Sequence, residues 1–253
     1  MNAELAQLVA LVGHGNTFLH GQREPRELFG SNWTFDYVHS VQFQMPDATE
    51  TFSGTAPWFT HLRVLGYQSL SLAVEASMPA HAPAFSGGGD WHIHAHGATK
   101  SGAWYGGWEY SDEDRANPWR VTYVPIPCQL QHGTPIPRAA KERLGRALRE
   151  AEAFDRRANV GFVDSLAQAQ ERLESREPET PISRDLLPRD GYELEARQLL
   201  AAAARAWVFG GMGWWNDFSP EDDEIVQEHE RVTQDLFPAV LIAILSATNA
   251  FRA

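Results

Sequence analysis

The spacing of the hydrophobic positions changes near residue 130. Before that point, apolar and polar side chains alternate in short runs at residues 33–38, 41–45, 70–74, 91–96 and 119–124. An alternation of period two is typical of half-buried strands. After a first helix near residues 2–12, no helix-length pattern separates these runs. This favours an antiparallel sheet over parallel strands joined by crossover helices.

Beyond residue 130, the apolar positions recur with the spacing of helices. Stripes of this kind begin near Leu144, Phe162, Tyr192 and Ile225. Each stripe marks the buried face of one amphipathic helix. The sequence therefore predicts an α+β fold, with an N-terminal helix and a mostly antiparallel β-sheet region at residues 1–130. About four helices at residues 131–253 then pack against the sheet, as a second domain or as part of one integrated domain.

Glycine, serine and proline predict where some of these helices begin and end. The segment Gly13-His14-Gly15-Asn16 follows the first helix and predicts a glycine stop. Ser219 and Pro220 have the chemistry of an N-cap and a first helical residue, so they predict the start of the last helix. Pro238 lies inside that helix and predicts a kink or a break.

The charge of the chain narrows the range of partners. The 253 residues carry a formal net charge of −12. An acidic surface repels phosphate backbones and anionic headgroups, so we expect neither nucleic acid nor a membrane as partner. The longest apolar stretch, Ala239–Leu245, is also too short to cross a bilayer.

Cys128 is the only cysteine, which excludes an intrachain disulfide and indicates a reducing compartment. The first residues lack the basic segment of a signal peptide, so we expect a cytoplasmic protein. Cys128 itself is interpreted as a small buried apolar residue. Only Lys100 and Lys141 are lysines, and this dominance of arginine is typical of a GC-rich bacterial coding sequence.

The sharpest chemical feature is a row of histidines on a predicted strand. Asp90, His92, His94 and His96 share one face of that strand, and Trp91 and Ile93 share the other. Imidazoles two residues apart can bind one zinc ion when a further ligand comes from elsewhere. If residues 97–102 form a hairpin turn, Glu109 joins the histidine face and becomes the candidate fourth ligand.

Two interpretations of this row remain open. The first is a zinc site made by His92, His94, His96 and Glu109. The second is a polar sheet face or an interface contact without metal. The residues that follow the row fit neither the cupin arrangement nor the (β/α)₈ alternation of an amidohydrolase.

Tryptophan is abundant, with nine in the chain. Those in the front part are Trp33, Trp58, Trp91, Trp104, Trp108 and Trp119. Indole rings fill cores, bind sugars or planar ligands, and anchor interfaces. On the predicted hairpin we assign Trp104, Tyr105 and Trp108 as candidate ligand-binding residues.

The function classes follow from these features. The chain has no glycine-rich phosphate loop, no Gly-x-Ser-x-Gly elbow and no His-Glu-x-x-His motif. The sequence therefore favours a non-catalytic binding or protein-interaction protein whose partner is another protein or a small molecule. The alternative is a zinc-type, metal-dependent hydrolase that uses the His92, His94 and His96 face.

Overall fold

The computed structural model describes residues 1–21, 24–46, 50–74, 91–128, 136–180, 183–210 and 215–252. In these ranges the helices are α1 (Ala3–Leu19), α2 (Thr55–Val64), α3 (Pro137–Ala158), α4 (Val163–Glu174), α5 (Leu194–Arg205) and α6 (Asp223–Thr248). The strands are β1 (Val38–Gln44), β2 (Thr51–Ser53), β3 (Tyr67–Val74), β4 (Trp91–Gly97), β5 (Ser101–Tyr110) and β6 (Trp119–Ile126). Short 3-10 helices span Trp33–Phe35 and Trp215–Asp217.

The described strands form one sheet in the order β2-β1-β6-β5-β4-β3. Neighbouring strands are antiparallel except β1 and β6, which run parallel. The predicted α+β class is confirmed, and the parallel pair makes the sheet mixed. The first predicted strand begins later than expected, because residues 33–35 form a 3-10 helix and β1 starts only at Val38.

The first helix is the centre of the molecule. Every residue of α1 from Leu5 to Phe18 is buried. The helix contacts β3 and β4 of the sheet and also α6 of the helical half. The polar side chains of the helix, such as Gln7, His14 and Asn16, are buried with hydrogen-bonded partners inside the protein. The continuous core therefore includes residues of both the sheet region and the helical region.

The predicted glycine stop at Gly13 is wrong, because α1 continues to Leu19. A Cβ atom on Gly13 would lie 2.7 Å from the Leu186 carbonyl oxygen, and one on Gly15 would lie 2.4 Å from Leu70 Cδ1. These glycines therefore let neighbouring segments approach the helix closely. Between them, His14 Nε2 lies 2.9 Å from the Asp185 carbonyl oxygen.

The absence of a helix between the strands was also a wrong prediction. Helix α2 lies between β2 and β3 and buries Trp58, Phe59 and Leu62. Its ten residues are too few for a clear amphipathic period. The ring of Phe43 stacks on Trp58 with centroids 4.2 Å apart and on Tyr123 with centroids 4.8 Å apart. These contacts fix α2 on the same face of the sheet as α1.

The helical half follows the predicted stripes, and only the details of α6 differ. Its N-cap is Asp222, whose side chain accepts hydrogen bonds from the backbone amides of Glu224 and Ile225 at 2.8 and 3.3 Å. The start predicted at Ser219 is therefore wrong. The helix also continues through Pro238 without a break. Buried residues on both sides of the proline hold the helix in the core.

By length and composition, α6 is the one described helix that could cross a membrane. Most of its apolar segment is buried inside the protein. Its contacts with α3 and α5 are those of a core helix.

Candidate functional site

A groove of about 750 Å³ opens at one end of the sheet. Its walls come from the start of α1, the segment from the 3-10 helix to β1, the end of β5 and the loop before β6. We call it the aromatic groove, because the rings of Trp33, Tyr37, Trp108 and Trp119 line it. Its volume falls in the range of about 300–1,000 Å³ that small-molecule sites occupy.

The aromatic rings meet at steep angles. Trp108 and Trp119 lie on neighbouring strands with ring centroids 6.1 Å apart and planes 71° apart. Tyr110 packs edge-on against Trp119 at 5.5 Å and extends the aromatic surface past the groove. Tyr37 is 69% exposed and Tyr110 is 60% exposed. Contiguous exposed aromatic surface is a common feature of interaction sites.

Three charged side chains complete the lining: Glu4, Asp36 and Arg115. None of them forms an ion pair with another residue in the described ranges. Desolvation raises the pKa of the Glu4 carboxyl above its ordinary value. The groove thus combines apolar walls with charges that form no ion pair with any other described residue.

The loop before β6 is held in shape by Asp114. Its carboxylate accepts a hydrogen bond from the Asn117 side chain at 3.1 Å and from the amides of Ala116 and Asn117 at 3.0 and 3.3 Å. The first of these bonds is the main reason that the Asp114 pKa is lowered. Bonds of this kind between a side chain and a following amide fix a tight turn. The groove therefore has a preformed wall at Arg115, Ala116 and Pro118.

A buried polar chain supports the opposite wall. The Tyr123 hydroxyl donates to Gln7 Oε1 at 2.6 Å, and Gln7 Nε2 donates to the Thr34 carbonyl oxygen at 3.1 Å. Thr34 also donates through its amide and hydroxyl to Asn32 Oδ1 at 3.1 and 2.9 Å. Because these groups are buried, their bonds hold the 3-10 helix that carries Trp33 in one position.

The histidine row lies on the opposite face of the sheet. Ile93 and Ala95 point into the core, so His92, His94 and His96 point away from it. The ring centroids of His92 and His94 are 4.8 Å apart, and those of His94 and His96 are 6.1 Å apart. His96 is exposed, and its Nε2 lies 2.7 Å from the Ser71 hydroxyl. His92 and His94 are buried.

His94 is the most perturbed member of the row. Desolvation, together with the neighbouring His92 and His96, lowers the pKa of His94 to about 4. Its Nδ1 lies 4.0 Å from Cys128 Sγ, and its buried Nε2 has no hydrogen-bond partner among the described residues. A ring of such low basicity does not stabilise the imidazolium that an activated thiolate requires.

The structure does not bring Glu109 to the histidines. In the hairpin of β4 and β5, His92 lies opposite Tyr105, and Glu109 follows four residues further along β5. That separation is about 13 Å along a strand. Glu109 lies opposite Arg120 on β6 instead. Asp90 lies outside the described residues.

The zinc site stays a prediction. No group of three or more His, Cys, Asp or Glu side chains in the described part of the chain is placed to hold a metal ion. Two buried imidazoles are fewer protein ligands than a zinc site ordinarily has. Elemental analysis of protein prepared without a histidine tag tests the prediction directly.

The three candidate ligand-binding residues of β5 lie in different surroundings. Trp104 is fully buried, and its indole N–H donates to the Gln44 carbonyl oxygen at 2.8 Å. Tyr105 lies on the histidine face and is 41% exposed. Trp108 alone lines the aromatic groove. The strand alternation places Tyr105 on the other face, and full burial removes Trp104 from the surface, so the three residues do not form one binding surface.

Sequence reasoning missed most of the groove. Trp33 and Trp119 were expected on half-buried strands, and Glu4, Asp36 and Arg115 were not singled out. The lining comes from separate segments between Asn2 and Trp119. The available signal was the concentration of tryptophan before residue 130, which does not reveal which rings meet.

A second cavity of about 510 Å³ lies between α3, α4 and the start of α5. Four of its charged side chains form two ion pairs: Arg138 Nε lies 3.5 Å from Glu142 Oε1, and Lys141 Nζ lies 3.3 Å from Glu174 Oε1. Ion pairs on an exposed helical surface are solvated and contribute little to stability. The aromatic groove is the stronger candidate for a binding site.

Comparison of the chain with protein-family models, with curated proteins and with solved structures finds no significant match. The function is therefore argued from the residues and geometry of the groove.

Proposed function

We propose that this protein is a non-catalytic binding protein that takes a small molecule with a compact apolar body in the aromatic groove. The observation that carries the proposal is a groove of about 750 Å³ whose walls include Trp33, Trp108 and Trp119. Aromatic side chains supply large contact areas and lose little conformational freedom on binding.

Preorganisation of the walls supports the same proposal. Asp114 fixes the loop on one side, and the chain of bonds from Tyr123 through Gln7 to Thr34 fixes the 3-10 helix on the other. A site whose walls are already ordered avoids part of the entropy cost of binding. The single cysteine adds a reducing, cytoplasmic location to the proposal.

A fragment screen followed by ligand-observed NMR tests the proposal. The fragments are small apolar, aromatic, cationic and sugar molecules, and the proteins are the wild type, Trp108→Ala and Trp119→Ala. We expect at least one fragment to bind the wild type. We expect each variant to bind that fragment about tenfold more weakly, a loss of about 1.4 kcal/mol of binding free energy. Circular dichroism checks that each variant is folded.

Tyr105→Ala is the matched control, because Tyr105 lies on the same strand as Trp108 but on the histidine face. We expect this variant to keep the affinity of the wild type. If Tyr105→Ala lost binding while Trp108→Ala kept it, the site would lie on the histidine face and the proposal would be wrong.

A further inference from the structure

We propose that the ligand of the aromatic groove is an organic cation, an ammonium group carried on a compact apolar body. This inference rests on the proposed function, because it assumes that the groove binds a small molecule. It is carried by the groove's charges and by the angle between its tryptophan rings.

The first argument is charge complementarity. Glu4 and Asp36 contribute two carboxylates to the lining and Arg115 contributes one guanidinium, so the lining is acidic. Neither carboxylate has an ion-pair or hydrogen-bond partner on its side chain in the described part of the chain. In the second cavity, by contrast, Glu142 and Glu174 pair with Arg138 and Lys141. A cationic ligand supplies the partner that the groove's carboxylates lack.

The second argument is the shape of the aromatic wall. A sugar or a planar ring stacks on a flat platform, which requires aromatic faces that are exposed side by side. The planes of Trp108 and Trp119 are 71° apart, so the two rings form a corner. Perpendicular rings suit a rounded group that contacts several faces at once. Aromatic cages of this kind bind quaternary ammonium groups, and tryptophan is the strongest cation–π partner.

A bound cation would also act on the carboxyl of Glu4. Its surroundings already raise the pKa of this carboxyl by desolvation. A bound cation favours the ionised carboxylate and opposes this shift. All three charged side chains of the lining are exposed, and the two carboxylates belong to α1 and the end of the 3-10 helix, whereas Arg115 belongs to the loop before β6. The cation is therefore expected on the side of the groove formed by α1 and the 3-10 helix.

The experiment compares choline with its neutral isostere 3,3-dimethylbutan-1-ol, each titrated by calorimetry into the intact chain. The two probes have nearly the same shape, so their difference reports the charge. We expect choline to bind at least about tenfold more tightly. In the double variant Glu4→Gln/Asp36→Asn we expect choline affinity to fall about tenfold and the affinity of the neutral probe to stay the same.

The double variant Glu142→Gln/Glu174→Gln is the control for a general change of net charge, because both glutamates lie in the second cavity. We expect this variant to bind choline as the wild type does. Equal binding of the two probes would overturn the cation inference and leave the groove as a binding site. Failure of both probes, together with failure of all fragments in the NMR screen, would overturn the proposed function as well. Choline binding that Trp108→Ala does not weaken would also overturn the inference.

Discussion

The side-chain amide of Asn16 pairs in both directions with the backbone of Leu70. Asn16 Nδ2 donates to the Leu70 carbonyl oxygen at 2.9 Å, and the Leu70 amide donates to Asn16 Oδ1 at 2.6 Å. Leu70 belongs to β3, the last strand at one edge of the sheet. Asn249 pairs with Leu72 in the same way, at 2.7 and 2.8 Å. Two carboxamides thus occupy places that a further strand would take, and they protect the edge from pairing with another chain.

Replacing Asn16 with alanine is expected to destabilise the protein strongly. The change leaves both the amide and the carbonyl of Leu70 buried without partners, at about 1–3 kcal/mol for each group. Urea unfolding measures the loss. Gln68→Ala is the matched control, because Gln68 is an exposed amide on the same strand. If the two variants unfolded at similar urea concentrations, the pairing of Asn16 would contribute little to stability.

Two glycines in helices are expected to respond oppositely to alanine. At Gly15 the new Cβ would lie 2.4 Å from Leu70 Cδ1 and 2.9 Å from Phe59 Cε1, so we expect a loss of about 1–3 kcal/mol. At Gly145 the nearest atoms are 3.5 Å away, so the better helix propensity of alanine is expected to gain about 0.5–1 kcal/mol. Thermal unfolding of the two variants compares them. A stabilised Gly15→Ala variant would contradict the close packing of α1.

Stability is expected to fall below neutral pH, partly through His94. Its pKa is about 4 in the folded protein, below an ordinary value of about 6.5. Above about pH 6.5 the His94 ring is mostly neutral in both the folded and the unfolded protein. As the pH falls from 6.5 towards 4, the unfolded chain takes up the proton first and is stabilised. Between about pH 7.5 and pH 5 we expect a loss on the order of 2 kcal/mol from this residue.

Urea titrations of the wild type and His94→Gln at the two pH values measure this contribution. We expect the variant to show a smaller loss of stability. Gln68→Ala is the control, because Gln68 is exposed and carries no titratable group. An identical pH response in the wild type and His94→Gln would show that His94 does not contribute.

The Tyr123 hydroxyl is expected to stabilise the support of the aromatic groove. Tyr123→Phe removes the donor to Gln7 Oε1 and leaves that oxygen buried, at a cost of about 1–3 kcal/mol. Tyr110→Phe is the matched control, because Tyr110 is exposed and its change should stay within about 0.5 kcal/mol. Differential scanning calorimetry compares the two. Equal melting temperatures would argue against a role for the buried bond.

The sequence predicted the helical half well, because α3 to α6 each bury a stripe with a clear period. Predictions from the sequence were wrong where a residue packs against a segment far away in the chain. Gly13 and Gly15 resemble a helix stop in sequence, but in the structure they lie inside α1 and let Leu186 and Leu70 approach the helix closely. Helix α2 was not predicted, because only a few residues around Trp58 form its buried face. The parallel pairing of β1 with β6 follows from tertiary packing, which no local pattern records.

The candidate site was predictable only in part for the same reason. Periodicity placed Trp108 on one face of a strand and Tyr105 on the other. It did not show that Trp33 and Glu4 approach Trp108 from segments far away in the chain. The conspicuous histidine row, which is contiguous in sequence, lies on the opposite face from the groove.

The pairing of Asn249 with Leu72 joins residues 177 positions apart. During synthesis, β3 leaves the ribosome long before the end of α6 does. Until that helix docks, the backbone of Leu72 remains available to any other extended chain. We therefore expect the nascent protein to be vulnerable to misassembly at β3 until Asn249, the residue that caps the end of α6, is in place.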